Sequence, residues 1–345
     1  MYPVYSSQTI NNGIIGYYKE YLFEDAITWT TDGYAGRVTF RSGKFYSTNV
    51  NGVLISHKGF GNKAIAEALN RVAYRYVAQA VIPKLMNNVM EEIVFYYPLE
   101  ISEQQKISKL FIELDEKILS FEQQLNKLDS LRISLQGNLY TTNSPQPKLR
   151  FPDFKEDYHT LTVSEIGEVK TGNTPSTKVK EYWGSNTDET KYIWVTPTDI
   201  NSSTIERTER TLTSLGWEKA RKVPANSLLI TCIASIGKNT INLTPAAFNQ
   251  QINSLTPKQG FDSYYLLHHF NRNKVRLANA GNSSITEIVN KTQFEKFTLR
   301  LPKEYEEQRK IGKLFKEVDQ LILRYKNMIE YHQILKRALL QSMFV

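Results

Sequence analysis

Two long stretches of the chain carry apolar side chains in a heptad pattern. In residues 103–131 and again in 307–335, the apolar positions alternate between spacings of four and three residues, with Glu and Lys beside them. This spacing places the apolar side chains in one stripe along a helix, here called the seam, which is typical of a helix that packs against another helix. The pattern therefore predicts two long helices that pair with each other. The seam positions are Ile107, Phe111, Leu114, Ile118, Phe121, Leu125 and Leu128 in the first stretch, and Ile311, Phe315, Val318, Ile322, Tyr325, Ile329 and His332 in the second.

The two stretches are copies of one motif. They align without a gap at an offset of 204 residues, and Pro98 and Pro302 precede them at the same offset. Such self-similarity indicates an internal repeat. We interpret His332 as a polar seam residue that helps to set the helix register. The identical pairs include Glu103/Glu307, Gln104/Gln308, Lys106/Lys310, Ile107/Ile311, Lys109/Lys313, Leu110/Leu314, Phe111/Phe315, Glu113/Glu317, Asp115/Asp319, Ile118/Ile322 and Leu119/Leu323.

A globular segment precedes each predicted helix. Both segments are rich in Thr, Val, Ile and Tyr in short alternating runs, which favour strands, and helix is expected near 62–80 and 262–279. The expected fold class is α+β, with two mixed α/β globular domains that alternate with two long helices. A stretch rich in Ser, Thr, Asn and Pro predicts a linker. The expected boundaries are 1–98 for the first domain, 99–140 for the first helix, 141–150 for the linker, 151–301 for the second domain and 302–345 for the second helix.

The two globular segments resemble each other as well. GYAGRV (33–38) corresponds to ASIGKN (234–239), and YPVYS (2–6) corresponds to YIWVT (192–196). In this alignment, residues 151–191 of the second segment have no counterpart in the first. We therefore expect the first domain to be shortened at its N-terminus. Three explanations stay open: a natural truncation, a start site assigned too late, or an opening part that a partner supplies.

Composition places the chain among ordinary globular proteins. Hydrophobic residues make up 41% and charged residues 23%, and the net charge of +8 is spread along the chain without a basic tail. A diffuse positive charge is compatible with nucleic-acid binding. Cys232 is the single cysteine, so an internal disulfide is excluded and a reducing compartment is expected. The sequence has neither a membrane-length apolar run nor a signal-peptide pattern, and we expect a soluble, cytoplasmic protein without a membrane partner.

Most catalytic motifs are absent from the sequence. It has no GxxxxGK[ST] loop, no GxGxxG, no HExxH and no Asn-Pro-Pro-aromatic segment of the kind that amino-methyltransferases use, so neither a catalytic residue nor a metal site is expected. One loose match remains. Asp153, Glu168 and Lys170 follow the PD…ExK pattern of Mg²⁺-dependent nucleases, in which two carboxylates hold the metal and the lysine orients water. A stand-alone nuclease is therefore kept as an alternative.

Polar clusters in predicted loops suggest DNA binding. Asn and Gln can pair bidentately with adenine, and Lys or Arg can contact guanine or phosphate. The clusters are SSQTINNG (6–13), TGNTPSTK (171–178), NQQIN (249–253) and GNSS (281–284), with aromatic residues nearby. Runs of this composition also form ordinary turns, so each cluster alone is weak support.

Several motifs together resemble the DNA-specificity subunit of type I restriction–modification systems. The resemblance lies in the doubled helix start (98–118 and 302–322), in PKLRFPDF (147–154), in the TGNTPS loop (171–176) and in the LLQSMF ending (339–344). YPVYSSQTINNGIIGYY (2–18) adds to it, so the resemblance extends over nearly the whole chain. The first helix ends instead in LQGNLY (135–140), which is a small departure.

The resemblance implies a division of labour. The globular segments would be target-recognition domains, each recognising one half of a split double-stranded DNA target. The helices would pair as an antiparallel coiled coil that sets the gap and docks two methyltransferase subunits, to which restriction (motor) subunits are added for host defence. This chain would perform no chemistry. S-adenosylmethionine, ATP and Mg²⁺ would be bound by the partner subunits, and none of them by this chain.

We expect two sets of functional residues on this basis. The residues expected to form the coiled-coil interface are ten of the seam residues: Ile107, Phe111, Leu114, Ile118, Leu125, Ile311, Phe315, Val318, Ile322 and Ile329. The second alternative to a specificity subunit is a coiled-coil scaffold that binds proteins only. Lack of salt-sensitive affinity for DNA would favour the scaffold. The residues expected to contact DNA are Ser6, Ser7, Gln8, Asn11, Asn12, Tyr34, Arg37, Thr171, Asn173, Thr174, Lys178, Ser235, Lys238, Gln250, Gln251, Ser283 and Ser284.

Overall fold

The computed structural model describes residues 1–8, 10–184, 192–281 and 288–344. It divides into two compact units. The first, here called the N-unit, comprises Met1–Leu125 and Tyr325–Val345, and the second, the C-unit, comprises Asn126–Arg324. Each unit therefore contains a globular part together with portions of both long helices.

The N-unit is built on a five-stranded sheet of order β2-β1-β4-β3-β5. Helix α1 packs its apolar face, including Ile65 and Leu69, against Ile27 and Trp29 of the sheet. Asn62 caps this helix by accepting a hydrogen bond from the Ile65 amide at 3.1 Å. The elements are β1 (Tyr2–Tyr5), β2 (Ile14–Tyr18), β3 (Phe23–Thr30), β4 (Val38–Ser47), β5 (Asn51–Leu54), α1 (Lys63–Ala73), α2 (Asn87–Glu91) and α3 (Ile101–Leu139), of which α3 continues into the C-unit.

The C-unit contains three sheets, of order β10-β8-β14-β11, β7-β15-β12-β13-β9 and β16-β6. Its largest core lies between the second sheet and helix α6. The elements are β6 (His159–Thr162), α4 (Val163–Ile166), β7 (Gly167–Thr171), β8 (Tyr192–Val195), β9 (Thr204–Ile205), β10 (Thr211–Leu212), α5 (Ser214–Lys219), β11 (Lys222–Val223), β12 (Leu228–Thr231), β13 (Asn239–Asn242), β14 (Ala246–Phe248), β15 (Ile252–Pro257), α6 (Ser263–Arg272), α7 (Lys274–Asn279), α8 (Lys291–Lys296), β16 (Thr298–Leu301) and α9 (Tyr305–Met343), of which α9 continues into the N-unit.

The central strands of the two units share one register. In the N-unit Thr28 of β3 lies opposite Thr39 of β4 and Val53 of β5. In the C-unit, the residues 201 positions later, Leu229, Thr240 and Ser254, lie opposite one another in the same way.

A parallel strand pair is repeated too. Val4 lies opposite Tyr46, and Trp194 lies opposite Ala247, so the YPVYS and YIWVT segments hold the same place in their units. The predicted similarity of the globular segments is thus a similarity of fold. The helices expected near 62–80 and 262–279 are also present, as α1 and as α6 with α7.

The repeated glutamine of the motif has a structural cause at the start of each long helix. The Gln104 side chain donates to the Pro98 carbonyl at 2.6 Å and accepts from the Asn62 amide at 2.8 Å. Gln308 likewise donates to the Pro302 carbonyl at 3.1 Å, and it accepts from the backbone of the residue that caps α6 at 3.2 Å. Both glutamine side chains are buried. Gln104 therefore joins α3 to the N-terminal end of α1, and Gln308 joins α9 to the N-terminal end of α6.

The long helices run antiparallel within each unit. In the N-unit the ring of Phe111 stacks on Phe344 with centroids 6.3 Å apart, whereas Phe121 lies 6.0 Å from Tyr325. In the C-unit Arg132 meets Asp319, and Tyr140, just beyond α3, lies against Phe315. Later positions of α3 therefore meet earlier positions of α9, and the expected fold class is confirmed.

The seam residues fall into two groups. Those near the helix starts also contact the globular parts: Ile107, Phe111 and Leu114 pack with Ala64 and Ala68 of α1, and Ile311 and Phe315 join the large C-unit core. Val318 and Ile322 are buried as well. Farther along the helices, burial becomes partial. The half-buried seam positions are Ile118, Phe121, Leu125, Leu128, Tyr325, Ile329 and His332.

Candidate nucleic-acid interface

The turn that carries Tyr34 and Arg37 is a tightly bonded loop between β3 and β4. The Thr30 amide donates to the Arg37 carbonyl at 3.1 Å, and the Gly36 amide donates to the Thr30 carbonyl at 2.9 Å. The Thr30 hydroxyl donates to the Tyr34 carbonyl and accepts from the Arg37 amide. Gly33 and Gly36 adopt positive φ, of 74° and 85°. This backbone leaves the Tyr34 ring 66% exposed and the Arg37 side chain exposed.

The turn that carries Ser235 and Lys238 repeats these bonds between β12 and β13. The Thr231 amide donates to the Lys238 carbonyl at 2.8 Å, and the Gly237 amide donates to the Thr231 carbonyl at 2.9 Å. The Thr231 hydroxyl again bonds the backbone of the two predicted residues. Ala234 and Gly237 take φ of 62° and 84°, as their counterparts do. The Ser235 and Lys238 side chains are exposed. The structure thus presents one exposed basic turn at the same place in both units.

The polar loop of residues 6–13 closes the hairpin between β1 and β2. The side-chain amides of Gln8 and Asn11 both donate to the Ile14 carbonyl, and Asn11 and Asn12 have positive φ. Arg41 is buried beneath the loop, where it donates to the Asn12 carbonyl at 2.8 Å. Burial lowers the pKa of Arg41 to about 10, against the opposing effect of the neighbouring Tyr5 ring. A buried cation thus holds the loop, while the Gln8, Asn11 and Asn12 side chains remain exposed and those of Ser6 and Ser7 are half-buried.

Two of the polar clusters in the C-unit lie against each other. The Thr174 hydroxyl donates to the Gln250 side chain at 2.6 Å, and the Thr171 hydroxyl donates to the Asn253 side chain at 2.7 Å. The Asn173 side chain bonds backbone groups on both sides, donating to the Lys219 carbonyl at 2.9 Å and accepting from the Arg221 amide at 2.6 Å. The side-chain amide of Asn173 therefore stabilises the loop. Exposed side chains of this cluster are Thr174, Lys178 and Gln250, and Gln251 is half-buried.

The basic turn joins the same end of the C-unit. The Cys232 amide donates to the Gln251 carbonyl at 2.8 Å, so the turn and the 249–253 loop are neighbours. The Val289 amide donates to the Cys232 carbonyl at 3.0 Å on the other side. Ser283 and Ser284 lie outside the described residues. The structure therefore brings the predicted residues of three separate loops to one end of the C-unit.

One cation of this unit was missed from the sequence. The Arg210 guanidinium lies over Trp183, 3.8 Å from the ring centroid, and 5.2 Å from that of Trp194. Trp194 is 3% exposed, so its ring belongs to a small core rather than to a base-stacking surface. Sequence spacing gives no indication of this contact, because Arg210 and the two tryptophans come from different strands and loops.

A buried polar network connects the C-unit loops to the long helices. Asp319 of α9 accepts from Arg132 of α3 at 3.2 Å, from His268 of α6 at 3.0 Å, and from the hydroxyls of Ser203 and Tyr264. Burial alone would raise the pKa of this carboxyl, but the hydrogen bonds and the nearby cationic groups hold it below its ordinary value. The carboxylate therefore links α6 to the long helices α3 and α9.

The nuclease alternative finds no support in the geometry. Asp153 pairs with Lys310 at 3.3 Å, and Glu168 pairs with Lys170 at 3.2 Å. Among residues 1–8, 10–184, 192–281 and 288–344, no group of three His, Cys, Asp or Glu side chains is placed to hold a metal ion. Within the same ranges, no helix is long and apolar enough to span a membrane.

Comparison with known proteins shows the family. A family model described as the type I restriction modification DNA specificity domain matches residues 1–130 and 155–331. Because these ranges make up most of the chain, it belongs to the type I restriction–modification specificity family. DNA and the other restriction–modification subunits are therefore its general class of partner.

Individual relatives align with this chain over part of their length. The chain is 26% identical over 315 residues to a Mycoplasma pneumoniae protein named for a type I specificity subunit, covering 87% of this chain and 77% of the relative. It is 31% identical over 198 residues to the specificity subunit of the Methanocaldococcus jannaschii type I restriction enzyme MjaIX, covering 55% of this chain and 44% of that one. A crystal structure of a type I S subunit from M. genitalium has the same fold, with a TM-score of 0.73 at 15% identity, over 100% of this chain and 88% of that chain.

Proposed function

We propose that the chain recognises a bipartite double-stranded DNA target, with each unit contacting one half. The observation that carries this proposal is the exposed basic turn, built by the same hydrogen bonds in both units with Arg37 in one and Lys238 in the other. A cation on an exposed loop can contact phosphate or guanine, and amide side chains beside it can contact adenine. Two such sites in one chain match a target in two parts.

The side chains around the two turns differ, which supports different base preferences. In the N-unit, Tyr34 is next to the cation in the turn, and the separate β1–β2 hairpin loop exposes Gln8, Asn11 and Asn12. In the C-unit, Ser235 is beside the cation and Thr174 bonds Gln250. The predicted residues Ser6, Ser7, Thr171, Asn173, Lys178 and Gln251 support or extend these loops.

The long helices fit the docking of two equivalent methyltransferase subunits. Leu119 and Leu323 are the same motif position in the two copies, and they are 54% and 53% exposed. A surface that occurs twice is suited to binding two copies of one partner. Restriction subunits would join that assembly in the cytoplasm, and S-adenosylmethionine, ATP and Mg²⁺ would be held by the partners.

DNA binding by the complex with methyltransferase subunits tests the proposal. Affinity for duplex DNA should fall steeply as salt rises, since Lys and Arg contacts displace counterions from phosphates. R37A and K238A should each weaken binding, whereas K109A on the helix surface should not. Salt-independent binding, or no binding by a complex that does form, would leave a protein-interaction scaffold as the function.

A further inference from the structure

The C-unit contains a segment for which the described part of the N-unit has no counterpart. This segment, residues 150–174 and here called the opening segment, includes β6 and β7. Strand β6 pairs with β16, and strand β7 pairs with β15. At its end, the amides of Gly172 and Asn173 donate to the carbonyls of Ile252 and Phe248 at 3.1 and 2.9 Å. The opening segment thus covers two strand edges and one loop of the C-unit.

The first place in the N-unit where such a segment could bind is the outer edge of β5, which corresponds to the edge of β15 that β7 covers. Strand β5 corresponds to β15 in register, and it pairs with β3. In the order β2-β1-β4-β3-β5, it ends the sheet, whereas β15 has β7 on its other side. An edge strand presents unpaired backbone groups that can pair with another strand.

Buried polar atoms mark the loop beside this edge. Ser47 Oγ, Thr48 Oγ1 and Asn51 Nδ2 are buried and have no hydrogen-bond partner in the described part of the chain. At an offset of 201, these residues correspond to Phe248, Asn249 and Ile252, where the end of the opening segment binds in the C-unit. Unpartnered buried polar groups cost free energy, and these atoms lie beside the unpaired edge of β5, so a segment bound at this loop would gain by supplying them with partners.

The second place is residues 94–98, which correspond to β16 at the repeat offset of 204. They form no strand, and Val94 and Tyr96 are 81% and 79% exposed. Their counterparts in β16, Thr298 and Arg300, are half-buried. Leu299 and Leu301 of β16 are fully buried, whereas their counterparts Phe95 and Tyr97 are half-buried and 37% exposed. A short stretch of apolar residues with strand-forming side chains is therefore left without the strand that pairs with its counterpart.

The third place is Glu103. Its counterpart Glu307 is fully buried and accepts two hydrogen bonds from Arg150, at 2.8 and 2.9 Å, and one from Tyr158 at 3.0 Å. The Glu103 side chain is exposed. Both partners of Glu307 belong to the opening segment. A carboxylate at this position is therefore suited to a cation that a similar segment would carry.

We propose that the N-unit is an acceptor for a segment of a separate polypeptide that resembles residues 150–174. Its arginine pairs with Glu103, its first strand adds to residues 94–98, and its second strand adds to β5. Backbone pairing at an exposed edge supplies affinity, and the arginine fixes the register. A second copy of this chain is the less favoured occupant, because its own opening segment is already bound within its C-unit.

A synthetic peptide of residues 147–178 is the probe. Labelled with a fluorophore and titrated with the full chain, it should bind with 1:1 stoichiometry and protect residues 51–54 and 94–98 from hydrogen exchange. E103Q should weaken binding about tenfold, as expected for the loss of a bidentate charged pair. E116Q, a change at another exposed glutamate of the same helix, should leave the affinity unchanged.

A double-mutant cycle makes the test specific. The peptide with Arg150→Gln should bind the unaltered chain about tenfold more weakly, and E103Q should then add no further loss. As a second arm, the same residues are fused to the N-terminus of the chain through a flexible Gly/Ser linker, and the fusion should show the same protection. Absence of protection in both arms, or binding that E103Q does not weaken, would overturn the proposal.

Sedimentation of the chain alone separates the possible occupants. The proposal expects no self-association through this edge. Dimerisation that the peptide abolishes would overturn the separate-polypeptide assignment and give the edge to a second copy. Because these experiments contain no DNA, their outcome is independent of whether the chain recognises a DNA target.

Discussion

Asp115 and Asp319 occupy the same position in the two helix motifs, and each carboxylate pairs with a cation from the other long helix. Lys336 reaches Asp115 at 2.7 Å, and Arg132, its counterpart at the offset of 204, reaches Asp319 at 3.2 Å. Each aspartate also bonds a helix of the globular part, through Lys63 in the N-unit and His268 in the C-unit. The repeated aspartate therefore joins three helices in each unit.

Removing these charges should destabilise the two units unequally. The Asp319 side chain is 7% exposed and that of Asp115 is 37% exposed. D319N leaves Arg132 without its buried partner and should lower the free energy of unfolding by about 3 kcal/mol. D115N should cost about 1 kcal/mol, because water replaces part of its pairing. Denaturant unfolding checks both variants, and equal losses would contradict the difference in burial.

His269 should make the protein sensitive to mild acid. Burial, with a smaller effect of Arg276 and Arg272, lowers the pKa of this histidine from 6.5 to about 3. Below pH 6.5 the unfolded chain binds a proton at His269 that the folded chain does not. The contribution of His269 to stability is therefore constant above this pH, and stability falls as the pH decreases towards 3. The loss attributable to His269 at pH 4.5 should be about 3 kcal/mol.

H269F tests that expectation. The ring contacts with Tyr140 and Tyr265 can be kept by phenylalanine, which does not titrate. Urea unfolding between pH 7 and pH 4.5 should show a flatter pH dependence for H269F than for the unaltered chain. Identical pH profiles would assign the acid sensitivity to other groups.

One position of the repeat should not tolerate the residue of its counterpart. Ser108 of the first copy donates to the side chain of the capping residue Asn62, and its hydroxyl accepts from the Ala64 amide at 2.9 Å. At the matching Gly312, a Cβ atom would lie 2.2 Å from Asp262 Oδ1, which caps α6. G312S should therefore cost about 2 kcal/mol through crowding.

The reciprocal change, S108G, should destabilise the chain by removing a hydrogen bond and not by crowding. S108G removes the hydrogen bond to Ala64 and places glycine inside a helix, so it should cost about 1–2 kcal/mol. Hydrogen exchange would locate each effect, at the start of α6 for G312S and at the start of α1 for S108G. Protection unchanged at the start of α6 in G312S would disprove the close packing at that helix cap.

The exposed leucines of the helices should affect the number of methyltransferase subunits bound. L119D and L323D each place a charge in one of two equivalent surfaces, and each should leave one methyltransferase subunit bound where the unaltered chain binds two. The double variant should bind none. Native mass spectrometry counts the subunits directly, and full occupancy in the double variant would exclude this surface as the docking site.

The sequence predicted the elements that depend on periodicity and repetition. The heptad spacing predicted α3 and α9, and the correspondence of GYAGRV with ASIGKN located a turn whose hydrogen bonds are the same in both units. The family assignment was also available from the doubled helix motif.

The sequence did not show which polar side chains form hydrogen bonds or ion pairs within the fold. Asn173 was expected to contact DNA, yet both ends of its amide bond backbone, and residues 141–150 were expected to be a linker, yet Thr141 is buried and Arg150 binds Glu307. These contacts join residues far apart in sequence, and no local pattern encodes them. The network around Asp319 was missed for the same reason.

The methylated motif in DNA shows most directly whether the two basic turns recognise two half-sites. The chain is expressed with a cognate-type methyltransferase subunit in a host that lacks adenine methylation, and N6-methyladenine is mapped by long-read sequencing. We expect a new motif in two parts with a fixed gap, in which R37A relaxes one part and K238A relaxes the other, while K109A changes neither. A one-part motif, or a two-part motif that neither variant alters, would contradict recognition of the two half-sites by the paired turns.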